Sequence, residues 1–194
     1  MVAHIQTPLF VPATRPDRFA KAAASGADAV ILDLEDAVSA ADKDAARAGL
    51  ACTGLGGNFA NTSVIVRINA IGTAWHGKDI AALRGLDIAG VMLPKSEDLG
   101  EMTACLAALG PLPMIALIET AKGLANARAI AALPGVVRLA FGSVDFCADM
   151  GCKPSRDTLL TARMELVLAS RLADIAAPLD GGGLLARPAR RPGG

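Results

Sequence analysis

The chain has 194 residues, 19 basic and 19 acidic side chains, a formal net charge of zero, and 53% hydrophobic residues. This composition fits one soluble globular domain with a substantial core, and it gives no reason to expect nucleic acid or an anionic membrane as a partner. The sequence contains neither an apolar run of about 18 residues that could span a membrane nor a secretory signal at its start, so we predict a cytoplasmic protein.

Six short runs rich in Val, Ile and Leu recur along the chain and predict β-strands. They are 7–12, 28–34, 63–68, 89–94, 113–118 and 135–141. Their nearly continuous apolar character is typical of parallel strands that are covered on both faces. The sequence therefore predicts a sheet buried between two layers.

Ala-rich stretches with helical character separate these runs. They are 16–25, 40–50, 97–109, 121–132 and 155–176. Pro16 suits a first helical turn, and Ser39 followed by Asp42 resembles a capping box. Strands that alternate with helices predict a parallel α/β sheet.

Glycine placement favours a barrel over an open nucleotide-binding sheet. A dinucleotide-binding sheet carries GxGxxG directly after a strand, whereas the dense glycine cluster at 53–57 precedes a strand and reads as a loop. Instead, polar side chains follow nearly every strand: Asp33, Glu35, Asp36, Arg67, Asn69, Lys95, Glu119, Ser143 and Asp145. One polar contribution per strand is how a (β/α)₈ barrel builds a site at its C-terminal face.

Alternation along the strands predicts that these polar side chains converge. Each of the following sets lies on one side of its strand: Ile31, Asp33 and Glu35; Ile65, Arg67 and Asn69; Leu93 and Lys95; Leu117 and Glu119. If those sides face the interior of a barrel, the polar ends meet at its mouth. Taken alone, a charged residue such as Lys95 more commonly caps the next helix or lies in solvent.

Glu119 and Asp145 are the candidate metal ligands, because they follow consecutive strands that lie ~5 Å apart. Ligation by oxygen alone favours a hard ion, Mg²⁺ or Mn²⁺. Arg67 could hold a substrate carboxylate through two parallel hydrogen bonds. The acids Asp33 and Glu35, with Asp36, would serve water bound to the metal or a proton transfer.

Five motifs resemble the citrate lyase β-subunit-like branch of the HpcH/HpaI aldolase family. They are "LFVPATRPDRFAKAAASGADAVILDLEDAV", "VRIN", "GVMLPKSE", "ALIETAKGL" and "LAFGSVDFCADMG", and they occur in the family's order from about residue 7 to about residue 181. The resemblance implies a TIM barrel of the phosphoenolpyruvate/pyruvate type. It also implies Mg²⁺-dependent carbon–carbon lyase chemistry on a citryl-CoA-like or malyl-CoA-like acyl-CoA, or on a keto acid.

The resemblance also implies roles for individual residues. Glu119 of "IET" and Asp145 of "GSVD" would ligate Mg²⁺, and Arg67 of "VRIN" would bind the substrate carboxylate. The acids of "DLED" (Asp33, Glu35 and Asp36) would hold metal-bound water or assist proton movement. Lys95 would contribute electrostatics or substrate positioning, since no lysine Schiff base is required.

The chain departs from the family at its end. A full barrel needs eight strands and typically ~250 residues, whereas only six strands are predicted here. We therefore predict an incomplete barrel over 1–181 that lacks strands 7 and 8, and a disordered tail over 182–194. An open barrel exposes the flanks of its edge strands, so we expect a homo-oligomer if the chain folds.

Two other functions remain open from the sequence. A class II aldolase of the same family, acting on pyruvate, would use a histidine base, for which His76 is the candidate. A non-catalytic truncated fragment would retain only a binding role. The four cysteines show no CxxC spacing and are predicted to be free thiols: Cys52, Cys105, Cys147 and Cys152.

Overall fold

Seven strands form one parallel sheet in the order of the sequence, β1 to β7. The computed structural model describes residues 2–52 and 62–180. The strands are β1 (Pro8–Pro12), β2 (Ala29–Asp33), β3 (Ser63–Arg67), β4 (Gly90–Leu93), β5 (Met114–Ile118), β6 (Val136–Phe141) and β7 (Ala176–Asp180). Because every pair is parallel, all carboxyl ends lie at one edge.

The sheet curls around an apolar interior. Side chains from β2 to β7 form one buried cluster: Ala29, Ile31, Ile65, Met92, Ile115, Leu117, Ala140 and Leu179. Val2 and Ile5 join this cluster from the N-terminal segment. Nη1 of Arg138 donates to the carbonyl oxygens of both, at 3.1 and 2.6 Å. The N-terminal segment therefore closes one end of a half-barrel, opposite the mouth formed by the carboxyl ends of the strands.

Eight α-helices among the described residues cover the outer face. They are α1 (Phe19–Ala23), α2 (Lys43–Cys52), α3 (His76–Ala82), α4 (Leu99–Leu109), α5 (Ala121–Ala125), α6 (Ala127–Ala131), α7 (Ser143–Met150) and α8 (Arg156–Leu172). A second and larger apolar cluster fills the layer between the strands and these helices. Two-sided burial explains why the strands read as continuous apolar runs.

The predicted fold class, an incomplete α/β barrel, is confirmed, but the strand count is wrong by one. β7 occupies residues 176–180, where no strand was predicted, and α8 ends at Leu172, before the predicted helix end at 176. The short helices α3 and α7 were not predicted, and the helix expected over 121–132 divides at Asn126 into α5 and α6. The predicted tail over 182–194 lies outside the described residues.

Two local predictions had different outcomes. Pro16 does begin a helical turn, the 3₁₀ segment Pro16–Arg18. The Ser39 hydroxyl, however, donates to the Asp42 carboxylate at 2.7 Å and does not cap a backbone amide, so the capping-box prediction is wrong.

Apolar side chains are exposed at both flanks of the half-barrel. On β1, Leu9 and Phe10 are about two-fifths exposed. On α8, a row of exposed side chains follows helical spacing: Leu160, Met164, Val167, Leu168 and Leu172. Within residues 2–52 and 62–180, no helix has the length and apolar character needed to cross a bilayer.

Candidate metal and substrate site

The carboxyl ends of β2 to β6 carry the charged side chains of the candidate site. Asp33 ends β2 and Arg67 ends β3. Five further residues follow in the connecting segments or in the first turn of α7: Glu35, Asp36, Lys95, Glu119 and Asp145. The structure thus brings these seven residues to the same mouth, whereas Asn69 bonds to Asp79 and does not reach it.

Glu119 and Asp145 flank a single cation position, which the ammonium group of Lys95 occupies. Lys95 Nζ lies 3.9 Å from Glu119 Oε1 and 3.7 Å from Asp145 Oδ2. It also donates to Glu35 Oε1 at 2.8 Å. Three carboxylates therefore surround one positive charge.

Glu119 is held tightly and is short of counter-charge. The residue is 3% exposed, and its Oε1 accepts a hydrogen bond from the Lys95 backbone amide at 2.9 Å. Burial raises the pKa of Glu119 to about 7, and the nearby Glu35 and Asp145 charges act in the same direction. A buried carboxylate with a raised pKa is one that an additional cation would stabilise.

Gly142 makes this packing possible. A Cβ atom at position 142 would lie 2.5 Å from Glu119 Oε2 and 2.7 Å from Glu119 Cβ. Gly142 directly precedes α7, whose first turn carries Asp145. The close approach therefore places the two candidate ligands on adjoining segments.

The donor set fits Mg²⁺. Two carboxylates are available, and Mg²⁺ commonly takes one or two protein carboxylates and keeps several waters. Among the residues that the structure describes, no three His, Cys, Asp or Glu side chains gather as a closed cage. Glu119 and Asp145 could therefore hold a hard cation whose remaining positions stay open to a ligand.

Arg67 is saturated on one edge by Asp33. Nε and Nη2 of Arg67 donate to Oδ1 and Oδ2 of Asp33 at 2.8 and 2.6 Å. Asp33 also accepts from the backbone amides of Glu35 and Ala37 at 2.8 and 3.0 Å. Burial alone would lower the pKa of Arg67, but the hydrogen bonds and charge of Asp33 raise it overall.

The other edge of Arg67 faces Glu35 and Asp36. Nη1 lies 3.0 Å from Glu35 Oε2, an ion-pair contact without hydrogen-bond alignment, and 3.5 Å from Asp36 Oδ2. The guanidinium also stacks 5.1 Å from the ring centre of Phe10, on the inner side of β1. Burial raises the pKa of Glu35, and the cations Lys95 and Arg67 partly oppose that rise.

Lys95 reaches the mouth by a route that alternation did not predict. Met92, not Leu93, lies in the interior cluster, whereas Leu93 packs in the outer layer. The predicted shared face of Leu93 and Lys95 is therefore wrong. Lys95 has a left-handed backbone, φ 48°, which breaks the alternation after β4 and redirects its side chain.

A buried polar chain beneath the mouth was not identified from the sequence. Lys43 Nζ donates to the Leu34 and Glu35 carbonyl oxygens and to Asn69 Oδ1, at 2.6, 2.7 and 2.6 Å. Asn69 Nδ2 donates in turn to Asp79 Oδ2 at 2.7 Å. Asn69 therefore points toward α2 and α3 and away from the mouth, contrary to the alternation prediction.

The same chain continues into α2. The guanidinium of Arg47 binds Asp79 at 2.8 Å and also contacts Asp44. Burial lowers the pKa of Lys43, a shift that the Asp33 and Asp79 charges partly offset. These contacts hold the loop after β2 against the segment that follows β3 and against α3.

His76 is positioned at the start of α3. Its Nδ1 lies 2.9 Å from the Asn69 carbonyl oxygen. A hydrogen bond donated from Nδ1 leaves the lone pair on Nε2. Beside it, the centre of the Trp75 ring lies 5.2 Å from Lys43 Nζ, so this loop residue has a packing role.

Three of the predicted free cysteines are confirmed: Cys105, Cys147 and Cys152. The side chain of Cys52 lies outside the described residues, as does the glycine loop 53–57.

Comparison with known proteins identifies relatives of this chain. The family model described as HpcH/HpaI aldolase/citrate lyase matches residues 6–181. A citrate lyase subunit beta-like protein of Mycobacterium tuberculosis is 43% identical over 183 residues, which cover 89% of this chain and 64% of that relative. A (3S)-malyl-CoA thioesterase of Cereibacter sphaeroides is 32% identical over 174 residues, covering 89% of this chain and 61% of that relative.

A solved structure matches the same fold. The citrate lyase beta subunit of M. tuberculosis, complexed with oxaloacetate and magnesium, superposes with a TM-score of 0.79 at 41% identity. The match covers 92% of this chain and 79% of that one. Of the two curated relatives named above, the chain spans less than two thirds of the length.

Proposed function

This chain belongs to the HpcH/HpaI aldolase/citrate lyase family, and from that premise we propose that it is a Mg²⁺-dependent carbon–carbon lyase. Its substrate would be a hydroxyacyl-CoA of the citryl-CoA or malyl-CoA type, which it cleaves to a keto acid and acetyl-CoA or forms from them. The observation that carries the proposal is the pair Glu119 and Asp145, which flank one cation position at the mouth. The oxaloacetate and magnesium in a related structure, and the malyl-CoA named for another relative, support the substrate class.

Glu119 and Asp145 would hold Mg²⁺, and Lys95 would then move aside toward Glu35. The side chain of Lys95 is 42% exposed, which leaves it room to do so. When bound, Mg²⁺ supplies a Lewis acid that stabilises negative charge on the hydroxyl oxygen during cleavage, or polarises the keto carbonyl in the reverse direction.

Arg67 would orient the substrate through its carboxylate. The Nε edge of the guanidinium is fixed by Asp33, so the Nη1 side is the one that can meet an incoming carboxylate. That side now faces Glu35 and Asp36, which would repel a substrate carboxylate. The positive charge of the bound Mg²⁺ would compensate this repulsion. Asp33 would act by holding Arg67 in place.

Glu35 is the proposed proton-transfer group, with Asp36 assisting through solvent. Cleavage removes the hydroxyl proton, and the expelled thioester enolate must gain one. Burial raises the pKa of Glu35, and its Oε1 hydrogen-bonds to Lys95, so it can exchange a proton with a cationic partner at hand.

Isothermal titration with Mg²⁺, followed by oxaloacetate, tests the proposed site. We expect wild type and the exposed control Glu101→Gln to bind both, and Glu119→Gln to lose at least ten-fold in Mg²⁺ affinity. Arg67→Lys should bind Mg²⁺ normally and oxaloacetate weakly. Equal binding of Mg²⁺ by Glu119→Gln and wild type would reject the site.

A substrate panel separates the lyase from two related activities. Incubation with malyl-CoA gives a keto acid and acetyl-CoA if the chain is a lyase, and malate with free CoA if it hydrolyses thioesters like the C. sphaeroides relative. Condensation of pyruvate with aldehydes, abolished by His76→Gln, would indicate the aldolase instead. A protein that binds Mg²⁺ and oxaloacetate but converts none of these is a non-catalytic fragment.

The exposed row on α8 supports the proposal of a homo-oligomer. Light scattering coupled to size exclusion measures the mass in solution. We expect more than one copy, and a monomer that persists at high protein concentration would reject this proposal.

A further inference from the structure

Helix α7 ends in a turn that brings two cysteines together. Gly151 adopts a left-handed backbone, φ 64°, and its amide donates to the Ala148 carbonyl at 3.4 Å. The next amide, that of Cys152, donates to the Cys147 carbonyl at 3.0 Å. This common helix ending packs the residue after the glycine against the last helical turn, and here both packed positions are cysteines.

The two side chains share one apolar environment. Cys147 is buried between the sheet and the helices, and the half-buried Cys152 packs against the same cluster. A disulfide requires a Cα separation of about 4.4–6.8 Å, and the 3.0 Å hydrogen bond from the Cys152 amide to the Cys147 carbonyl is compatible with that range.

We propose that Cys147 and Cys152 are a redox modification site that forms a reversible disulfide with peroxide as the oxidant. The half-buried Cys152 meets the peroxide first: its sulfur attacks one oxygen, the O–O bond breaks, and a sulfenic acid and water result. The Cys147 sulfur then attacks the Cys152 sulfur, its proton joins the departing hydroxide as a second water, and the S–S bond forms. Two thiols are oxidised by two electrons, and one peroxide is reduced to two waters.

The disulfide would close a six-residue loop at the end of the helix whose first turn carries Asp145. Such a loop restricts the unfolded chain and the fraying of the helix end alike. A dithiol such as dithiothreitol would restore the reduced form by exchange. The proposal depends on this helix ending alone and stands whether or not the chain is a lyase.

Peptide mass spectrometry tests the pairing directly. Tryptic cleavage after Arg138 and Arg156 yields a segment that contains Cys147 and Cys152 and no other cysteine. After peroxide treatment, alkylation in denaturant and digestion without reductant, this segment should be two hydrogens lighter and carry no alkyl group, while Cys105 remains alkylated. Two alkylated cysteines, or a link between two chains, would overturn the proposal.

Thermal melts provide a second and independent measurement. Oxidation should raise the Tm of wild type by about 4–8 °C, as expected for a short loop in a chain of this length. Dithiothreitol should reverse the rise, and Cys152→Ser should show none. A peroxide-induced rise of the same size in Cys152→Ser would contradict the disulfide, because that variant cannot form it.

Discussion

Replacing Glu119 with glutamine should stabilise the metal-free protein while lowering its affinity for Mg²⁺ at least ten-fold. Burial raises the pKa of Glu119 from 4.5 to about 7. Because the folded state holds the proton more tightly than the unfolded state, the wild type loses stability as pH rises from about 4.5 to about 7. At 1.36 kcal/mol for each pKa unit, ionised Glu119 costs about 3 kcal/mol at pH 8.

Glutamine keeps the size and the acceptor oxygen for the Lys95 amide but carries no charge. Without metal, the free energy of unfolding of the variant should therefore exceed that of wild type by about 3 kcal/mol at pH 8, which corresponds to about 6–12 °C in Tm. At pH 5 the difference should be less than about 1 kcal/mol. Saturating Mg²⁺ should reverse the order at pH 8, because it stabilises only the protein that binds it.

Differential scanning calorimetry at the two pH values, each with and without Mg²⁺, measures all four states. Glu101→Gln, an exposed substitution on α4, is the matched control and should follow wild type throughout. If Glu119→Gln were less stable than wild type at pH 8 without metal, or if its advantage were the same at pH 5, the explanation by buried charge would be refuted.

Three further substitutions probe the packing around the site. Gly142→Ala should lower the free energy of unfolding by about 1–3 kcal/mol and remove most of the Mg²⁺ affinity, because its Cβ would overlap the buried Glu119 carboxylate. In the control Gly77→Ala the new Cβ meets nothing within 4 Å, so neither property should fall. Calorimetry and metal titration measure both variants. Lys43→Met should lower the free energy of unfolding in urea by roughly 3 kcal/mol, because three buried acceptors lose their donor. The exposed control Lys78→Met should lower it by under about 1 kcal/mol. Equal losses in the two variants would contradict a stabilising role for the buried chain. Arg67→Lys should raise KM for the acyl-CoA at least ten-fold with Mg²⁺ affinity intact, and an unchanged KM in steady-state kinetics would count against carboxylate binding at this residue.

The strands of the barrel were predictable because burial on two faces leaves long apolar runs. β7 was missed for a physical reason: the segment "AAPLD" offers one large apolar side chain, and Pro178 lowers strand propensity. A proline is tolerated there because β7 is an edge strand of the described sheet. The short helices α3 and α7 were not predicted because seven or eight residues are too few to show a clear helical repeat of apolar side chains.

The charged residues at the mouth were predictable from their place after each strand, but their partners were not. Their place after consecutive strands predicted that Glu119 and Asp145 lie near each other at the mouth. The direction of Lys95, in contrast, depends on a left-handed backbone that alternation cannot anticipate. The buried chain from Lys43 to Asp79 joins segments distant in sequence and without a shared motif. The bidentate contact of Arg67 with Asp33 likewise exists only in three dimensions.

The ammonium of Lys95 lies among three acids and compensates part of their negative charge in the metal-free protein. Glu35, Glu119 and Asp145 would otherwise repel one another throughout folding, and the lysine supplies the first positive charge from within. If Glu119 and Asp145 bind Mg²⁺ as proposed, loading would exchange a tethered monovalent cation for a free divalent one. Lys95 would stay attached beside the site and could return to the same position when the metal leaves.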